Sequence, residues 1–121
     1  MPKLIGGPAR IAGGGNKPIV IDEYFGHINS GHSQVSIAYL SCPGNWIEPA
    51  QTPEFDEFTV VLKGVLRVTS GKEQFDVRAG QAIFTARGDR VQYSTATEEG
   101  AEYLAVCLPA FALAAAHRED G

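Results

Sequence analysis

The stretch that most constrains this chain is Asp56-Glu57-Phe58-Thr59-Val60-Val61-Leu62-Lys63-Gly64-Val65-Leu66-Arg67-Val68. Aromatic and β-branched side chains crowd it, which favours a pleated, half-buried strand over a helix. One glycine interrupts the run, so it reads as two strands with Gly64 tolerating the turn between them. Alternation splits the first strand into two faces. Glu57, Thr59, Val61 and Lys63 point one way; Phe58, Val60 and Leu62 point the other. The all-apolar set needs a protein cover. The mixed set can line a cavity, with Glu57 as its carboxylate.

The rest of the chain repeats this rhythm of short strand and turn. Strand character recurs at 19–21, 35–42, 65–69, 73–77, 81–85, 91–95 and 101–108, with glycine, proline or asparagine between the runs. About eight or nine short strands without a long helical period indicate a sandwich or barrel. Residues 109–118, rich in alanine, are the one helix-forming stretch, long enough for one or two turns. At 121 residues the chain is one domain that buries about two-thirds of its unfolded surface. Residues 1–17 read as a flexible Gly-rich arm and 18–121 as the folded domain. Gly13-Gly14-Gly15-Asn16-Lys17-Pro18 is not a phosphate loop: no strand precedes it, and a proline stands where a helix would begin.

Charge and cysteine usage exclude several function classes. The net charge is −4 and the ten Lys and Arg residues form no cluster, which argues against nucleic acid or an anionic membrane as partner. No apolar run approaches the roughly 20 residues of a membrane span, and the N-terminus lacks the apolar core of a secretory signal. Cys42 and Cys107 each sit in an apolar strand, and free, buried thiols in a reducing cytoplasm are expected. No Gly-x-Ser-x-Gly elbow and no histidine beside either cysteine supports nucleophile chemistry.

Glu57, six residues and then Gly64 resembles the second half of the first cupin motif, His-x-His-x(3,4)-Glu-x(6)-Gly. Gly80-Gln-Ala-Ile-Phe-Thr-Ala-Arg-Gly88 resembles the second motif, Gly-x(5)-Pro-x-Gly-x(2)-His, with Ala86 at the proline. The resemblance spans roughly residues 35–109 and implies an all-β, single-domain double-stranded β-helix, a jelly-roll-like barrel, with a short C-terminal helical segment. The motif histidines fall on Gln51, Pro53 and Val91. That pattern is similar to the metal-poor cupins of the ethanolamine-utilisation protein Q group, and implies no metal and no other cofactor.

Candidate site residues follow. In the barrel interior, burial would raise the pKa of Glu57 and suit it to acid or base work, with Tyr93 of inward parity beside it. A structural glutamate that does nothing is the alternative. Gln51 holds a histidine position and can orient a polar ligand through its amide; with Glu48 and Glu57 it could also form an oxygen-rich site for a hard cation. Tyr39, Trp46 and Tyr103 combine a ring with a polar tip, Thr59 shares the face of Glu57, and His32 can overhang the mouth. His27 and His117 are given no role. Arg87 or Arg90 could fix an anion at the rim.

The leading expectation is a small cupin that binds a small polar or anionic metabolite in its barrel without a transition metal. The alternatives are a metal-independent isomerase or lyase using Glu57, and a structural component of a larger assembly. The outward face of Phe58, Val60 and Leu62 leads to an expected homodimer.

Overall fold

In the computed structural model, which describes residues 1–119, eight strands and one short helix follow one another. They are β1 (Ala9–Ile11), β2 (Val20–Phe25), β3 (Ser36–Cys42), β4 (Asp56–Ser70), β5 (Glu73–Arg78), β6 (Ala82–Thr85), β7 (Gln92–Ser94), β8 (Ala101–Leu108) and α1 (Leu113–Ala116). Every pairing is antiparallel, in the order β1-β2-β3-β8-β4-β5, with β6 and β7 also set against β4. The ladder does not close into a ring. The fold is all-β with one helical turn near the C-terminus.

The organising stretch departs from the two strands expected of it. β4 runs unbroken from Asp56 to Ser70, and Gly64 bends it instead of ending it. Residues before Gly64 pair with β8 and β6; those after it pair with β5 and β7. One strand therefore belongs to both sheets. Two features make the bend. The register slips between Val61 and Lys63, a bulge that sharpens the local twist. Gly64 then takes φ 73°, and a Cβ there would lie 2.0 Å from the carbonyl oxygen of Gly100. Only glycine fits such an approach.

As far as Leu62 the alternation along β4 is as the sequence implies; Lys63, expected on the inner face, is exposed because the register slips between Val61 and Lys63. Glu57, Thr59 and Val61 are buried, while Phe58, Val60 and Leu62 stand on an exposed outer face. Side chains from both sheets meet in one core: Val61, Tyr103 and Ala105 from one, Leu66, Val68, Val77 and Tyr93 from the other. A smaller cluster lies at the opposite end, where Phe55 and Cys107 receive Ala116 of α1. Its alanines let the helical turn lie close against the sheet. Both cysteines are free and buried, at opposite ends of the β3–β8 ladder. Among the described residues no helix is long and apolar enough to cross a membrane.

Within the stretch expected as an arm, β1 pairs with β2, Ala9 opposite Glu23 and Ile11 opposite Ile21. The glycine run then lies along the rim at residues 44–47. The Trp46 indole N–H donates to the Gly14 carbonyl (2.9 Å), the Asn16 amide to the Ile47 carbonyl (3.0 Å) and Lys17 Nζ to the Gly44 carbonyl (2.8 Å). At Gly15 a Cβ would meet the Trp46 indole nitrogen at 2.3 Å. The glycines serve close packing of arm on rim.

Candidate functional site

Strand alternation brings a set of polar side chains onto a largely apolar cavity of about 60 Å³. From β3 come Ser36, Ala38 and Leu40, every second residue of one face; from β8, on the same logic, come Tyr103, Ala105 and Cys107. β4 supplies Glu57 and β7 supplies Tyr93. The rim segment before β4 adds Glu48 and Gln51, and the tail after α1 adds Arg118. The space takes roughly four to six water-sized positions, at about 10–15 Å³ each.

Glu57 is 8% exposed. Its carboxylate oxygens accept from Thr59 Oγ1 at 3.4 Å and from Cys107 Sγ at 3.8 Å, both long. Loss of solvation outweighs these donors, the Tyr93 hydroxyl and the Arg118 charge, and raises the Glu57 carboxyl from 4.5 to about 7. Burial raises Glu48 further, to about 8; the Arg118 charge opposes the shift and the Glu57 charge adds to it. At neutral pH Glu48 is mostly protonated, and Glu57 is divided between its two forms. Burial also pushes the Tyr93 and Tyr103 phenols well above their ordinary range, so both remain neutral hydroxyls. The Tyr93 hydroxyl bonds Thr85 Oγ1 at 3.0 Å.

Arg118 reaches the cavity because its backbone forms a bridge with Gln51, and the next amide, Glu119, donates to the Ala50 carbonyl (2.8 Å). Its guanidinium lies over the Phe111 ring, 5.9 Å from the centroid. Nε donates to Gln51 Oε1 at 3.4 Å, and Nη2 stands 3.9 Å from Glu48 Oε2. Its side chain is 19% exposed, against 7% for Glu48. Glu23 also reaches the wall, but its Oε2 already accepts the backbone N–H groups of Ile28 (3.0 Å) and Asn29 (2.8 Å), which ties down the turn after β2.

Of the residues singled out from the sequence, Glu57, Gln51, Tyr93 and Tyr103 meet on this wall. Thr59 is buried behind it and touches the site through its bond to Glu57. Three stand elsewhere. Tyr39 has the parity opposite to Ala38 and Leu40, so it faces away from the cavity. Trp46 is fully buried in the core, its indole N–H spent on the Gly14 carbonyl. His32 is held in the turn after β2 by Ser30 Oγ (2.7 Å) and the edge of the Phe25 ring. The rim arginines are occupied as well: Arg87 pairs with Asp56 and Arg90 with Glu119. The cation of the site is Arg118, which local sequence does not mark, because only the return of the tail to Gln51 brings it there. Glu48, named from the sequence only as a partner of Gln51 and Glu57 in an oxygen-rich cation site, also stands on the wall.

The histidine positions of the cupin motifs converge in part. Gln51 and Val91 exchange both backbone hydrogen bonds (2.9 and 2.8 Å), and Gln51 is on the wall with Glu57. The family described as "Cupin domain" matches residues 42–107, more than half of the chain. The chain belongs to the cupin family. Among solved structures this cupin is similar to a putative ethanolamine utilization protein Q from Salmonella typhimurium. The identity is 21%, the TM-score 0.66, and the match covers 78% of this chain and 72% of that one. It is similar also to an oxalate decarboxylase variant from Bacillus subtilis, at 18% identity and TM-score 0.75, over 94% of this chain and 31% of that one. These likenesses concern the fold. A curated relative, the endoribonuclease YbeY of Myxococcus xanthus (strain DK1622), is 36% identical over 99 residues, which are 82% of this chain. The match spans 34%, about a third, of that relative's length.

Proposed function

We propose that this cupin binds a small polar or anionic metabolite in its cavity without a transition metal. The observation that supports this reading is the cavity wall itself: the buried carboxyls of Glu48 and Glu57, the Gln51 amide, the Arg118 guanidinium and the Tyr93 and Tyr103 hydroxyls on a mostly apolar surface. Binding sites for small molecules combine sparse polar groups and apolar walls in this way. An inert scaffold has no need of two carboxyls buried at the cost of their ionisation.

The donor set does not fit a transition metal. Iron, manganese, nickel and zinc are held by imidazole nitrogen with carboxylate, and Gln51, Pro53 and Val91 stand where the imidazoles of a cupin would be. The amide oxygen of Gln51 already accepts from Arg118, whose charge would repel a metal cation beside it. Among the described residues no three His, Cys, Asp or Glu side chains are placed to share an ion. Nor does the wall suit an RNA strand, since the site has one cation and the chain a net charge of −4.

A second reading, a metal-independent isomerase or lyase, draws on Glu57. A carboxyl near 7 is suited to general acid or base work, and Tyr93 beside it could orient a substrate. One experiment addresses both. Tag-free protein is assayed for metal by elemental analysis, then screened against small acids, amines and polyols by thermal shift, with turnover followed by NMR. The proposal expects well under one equivalent of any transition metal, a raised Tm with some of the probes, and no turnover. Turnover that disappears in Glu57→Gln would favour the enzyme. Stoichiometric metal, or no Tm shift with any probe, would overturn the binding proposal.

A further inference from the structure

Arg118 is the sole cation on the cavity wall among the described residues, and its hydrogen-bonding capacity is underused. A guanidinium offers five N–H donors in a planar fork. Here one of them meets Gln51 Oε1 at 3.4 Å, and the nearest carboxylate oxygen, on Glu48, is 3.9 Å away, beyond hydrogen-bond reach. The group is nonetheless held in place, by the backbone bridge to Gln51 and by the Phe111 ring. Such a fork presented to a small cavity matches the two oxygens of a carboxylate. Glu57, deeper in the wall, has the opposite need. Its hydrogen bonds from Thr59 (3.4 Å) and Cys107 (3.8 Å) are long, with the Tyr93 hydroxyl as the other donor beside it, so it can accept a better hydrogen. Apolar side chains such as Ile21, Leu40 and Ala105 line the same cavity.

We propose that Arg118 anchors the carboxylate of a short organic acid in this cavity, and that Glu57 receives a hydrogen from a hydroxyl or amino group at the acid's other end. This rests on the reading that the cavity binds a metabolite, and it names the class. A volume of about 60 Å³ suits a small ligand such as a two- or three-carbon hydroxy or amino acid.

The groups that face the ligand add a proton linkage. Glu48 and Glu57 titrate at about 8 and about 7. An entering carboxylate beside Arg118 disfavours ionised Glu48, which once protonated can donate to it, whereas the hydrogen received by Glu57 favours its ionised form. Tyr93, Tyr103 and Cys107 are pushed upward and stay neutral through this range, Glu23 is engaged by the turn amides, and the guanidinium keeps its charge. At about pH 8, where Glu57 is already mostly ionised, binding of an acid therefore takes up protons at Glu48, and its affinity falls as pH rises through about 8.

The test is calorimetric titration of the full, metal-stripped chain with glycolate, glycine, acetate and 1,2-ethanediol. Glycolate or glycine should bind at least about tenfold more tightly than acetate or the diol, and which of the two prevails identifies the donor as hydroxyl or amine. Arg118→Gln should weaken the tighter ligand by about tenfold or more, with Arg118→Lys intermediate. Glu57→Met should bring its ratio to acetate close to one. Circular dichroism verifies that the variants fold. A measurement on the wild type alone covers the case in which they do not: titrations in two buffers of different ionisation enthalpy at about pH 8 should show proton uptake. Acid binding that is indifferent to Arg118→Gln, or that releases protons, would overturn the assignment. If the diol binds and the acids do not, the cavity remains a binding site and the carboxylate class is wrong. If no probe binds and none shifts Tm, the binding proposal itself falls with it.

Discussion

At the residue scale, the two buried carboxyls make stability depend on pH in a defined direction. Both Glu48 and Glu57 have folded-state pKa values above the ordinary carboxyl value of 4.5, at about 8 and about 7. Between 4.5 and those values the native chain holds more protons than the unfolded chain, so stability declines as pH rises. Below 4.5 neither group costs anything; above about 8 both costs are complete. Glu57→Gln removes one of them with an isostere that keeps an acceptor for Thr59. The variant should match wild type near pH 4.5 and exceed it by about 1–3 kcal/mol near pH 8.5. Urea unfolding at the two values measures this, and an equal effect at both would mean that Glu57 ionises normally in the fold. Glu57 was legible in the sequence because its strand alternates cleanly and a motif fixes its distance to Gly64. Arg118 was not legible, since its role depends on a contact 67 residues back along the chain. Tyr39 was misplaced for a related reason. Alternation separates the faces of β3 but does not say which one turns inward when both carry apolar residues.

At the scale of elements, β4 carries the architecture, and Gly64 is where it passes from one sheet to the other. The turn residue was evident from sequence; the continuity of the strand was not, because a glycine between two β-prone runs signals a hairpin and a bend equally well. Packing decides between them here. The β8 ladder continues from Asp56 opposite Leu108 through to Gly64 opposite Ala101, so the chain has pairing partners up to the bend itself. A side chain at Gly64 would meet the Gly100 carbonyl at 2.0 Å, whereas at Gly71, also at positive φ, nothing lies within 4 Å. Gly64→Ala should therefore cost about 3 kcal/mol or more, strain and clash together, against about 1 kcal/mol for Gly71→Ala. Chemical denaturation of the two variants compares them directly. Equal losses would show that the Gly100 contact relaxes without cost.

At the scale of the whole molecule, the outer face of the larger sheet is unlike the surface of a small monomer. Phe58 (42% exposed), Val60 (41%) and Leu62 (44%) on β4 adjoin Phe84 (53%) on β6 and Leu108 (38%) on β8. The register makes them one patch: Phe58 lies opposite Phe84 on one side and Val106 on the other, and Val60 lies opposite Leu104. The Phe58 and Phe84 rings are already in contact, with centroids 4.9 Å apart. A contiguous apolar surface on a regular sheet marks an interface, and we propose that a second copy of the chain covers it about a two-fold axis. Such an arrangement places Phe58 and Phe84 against their own counterparts or close neighbours, so one added charge is repeated in the interface by symmetry. Sedimentation at tens of micromolar should show a dimer. Phe58→Glu should shift it to monomer while leaving the far-ultraviolet dichroism unchanged, because the side chain contributes to the outer face and not to the core. A wild-type monomer at that concentration would remove the proposal. A dimer that Phe58→Glu leaves intact would move the interface to another face, and the exposed patch would then need a different partner.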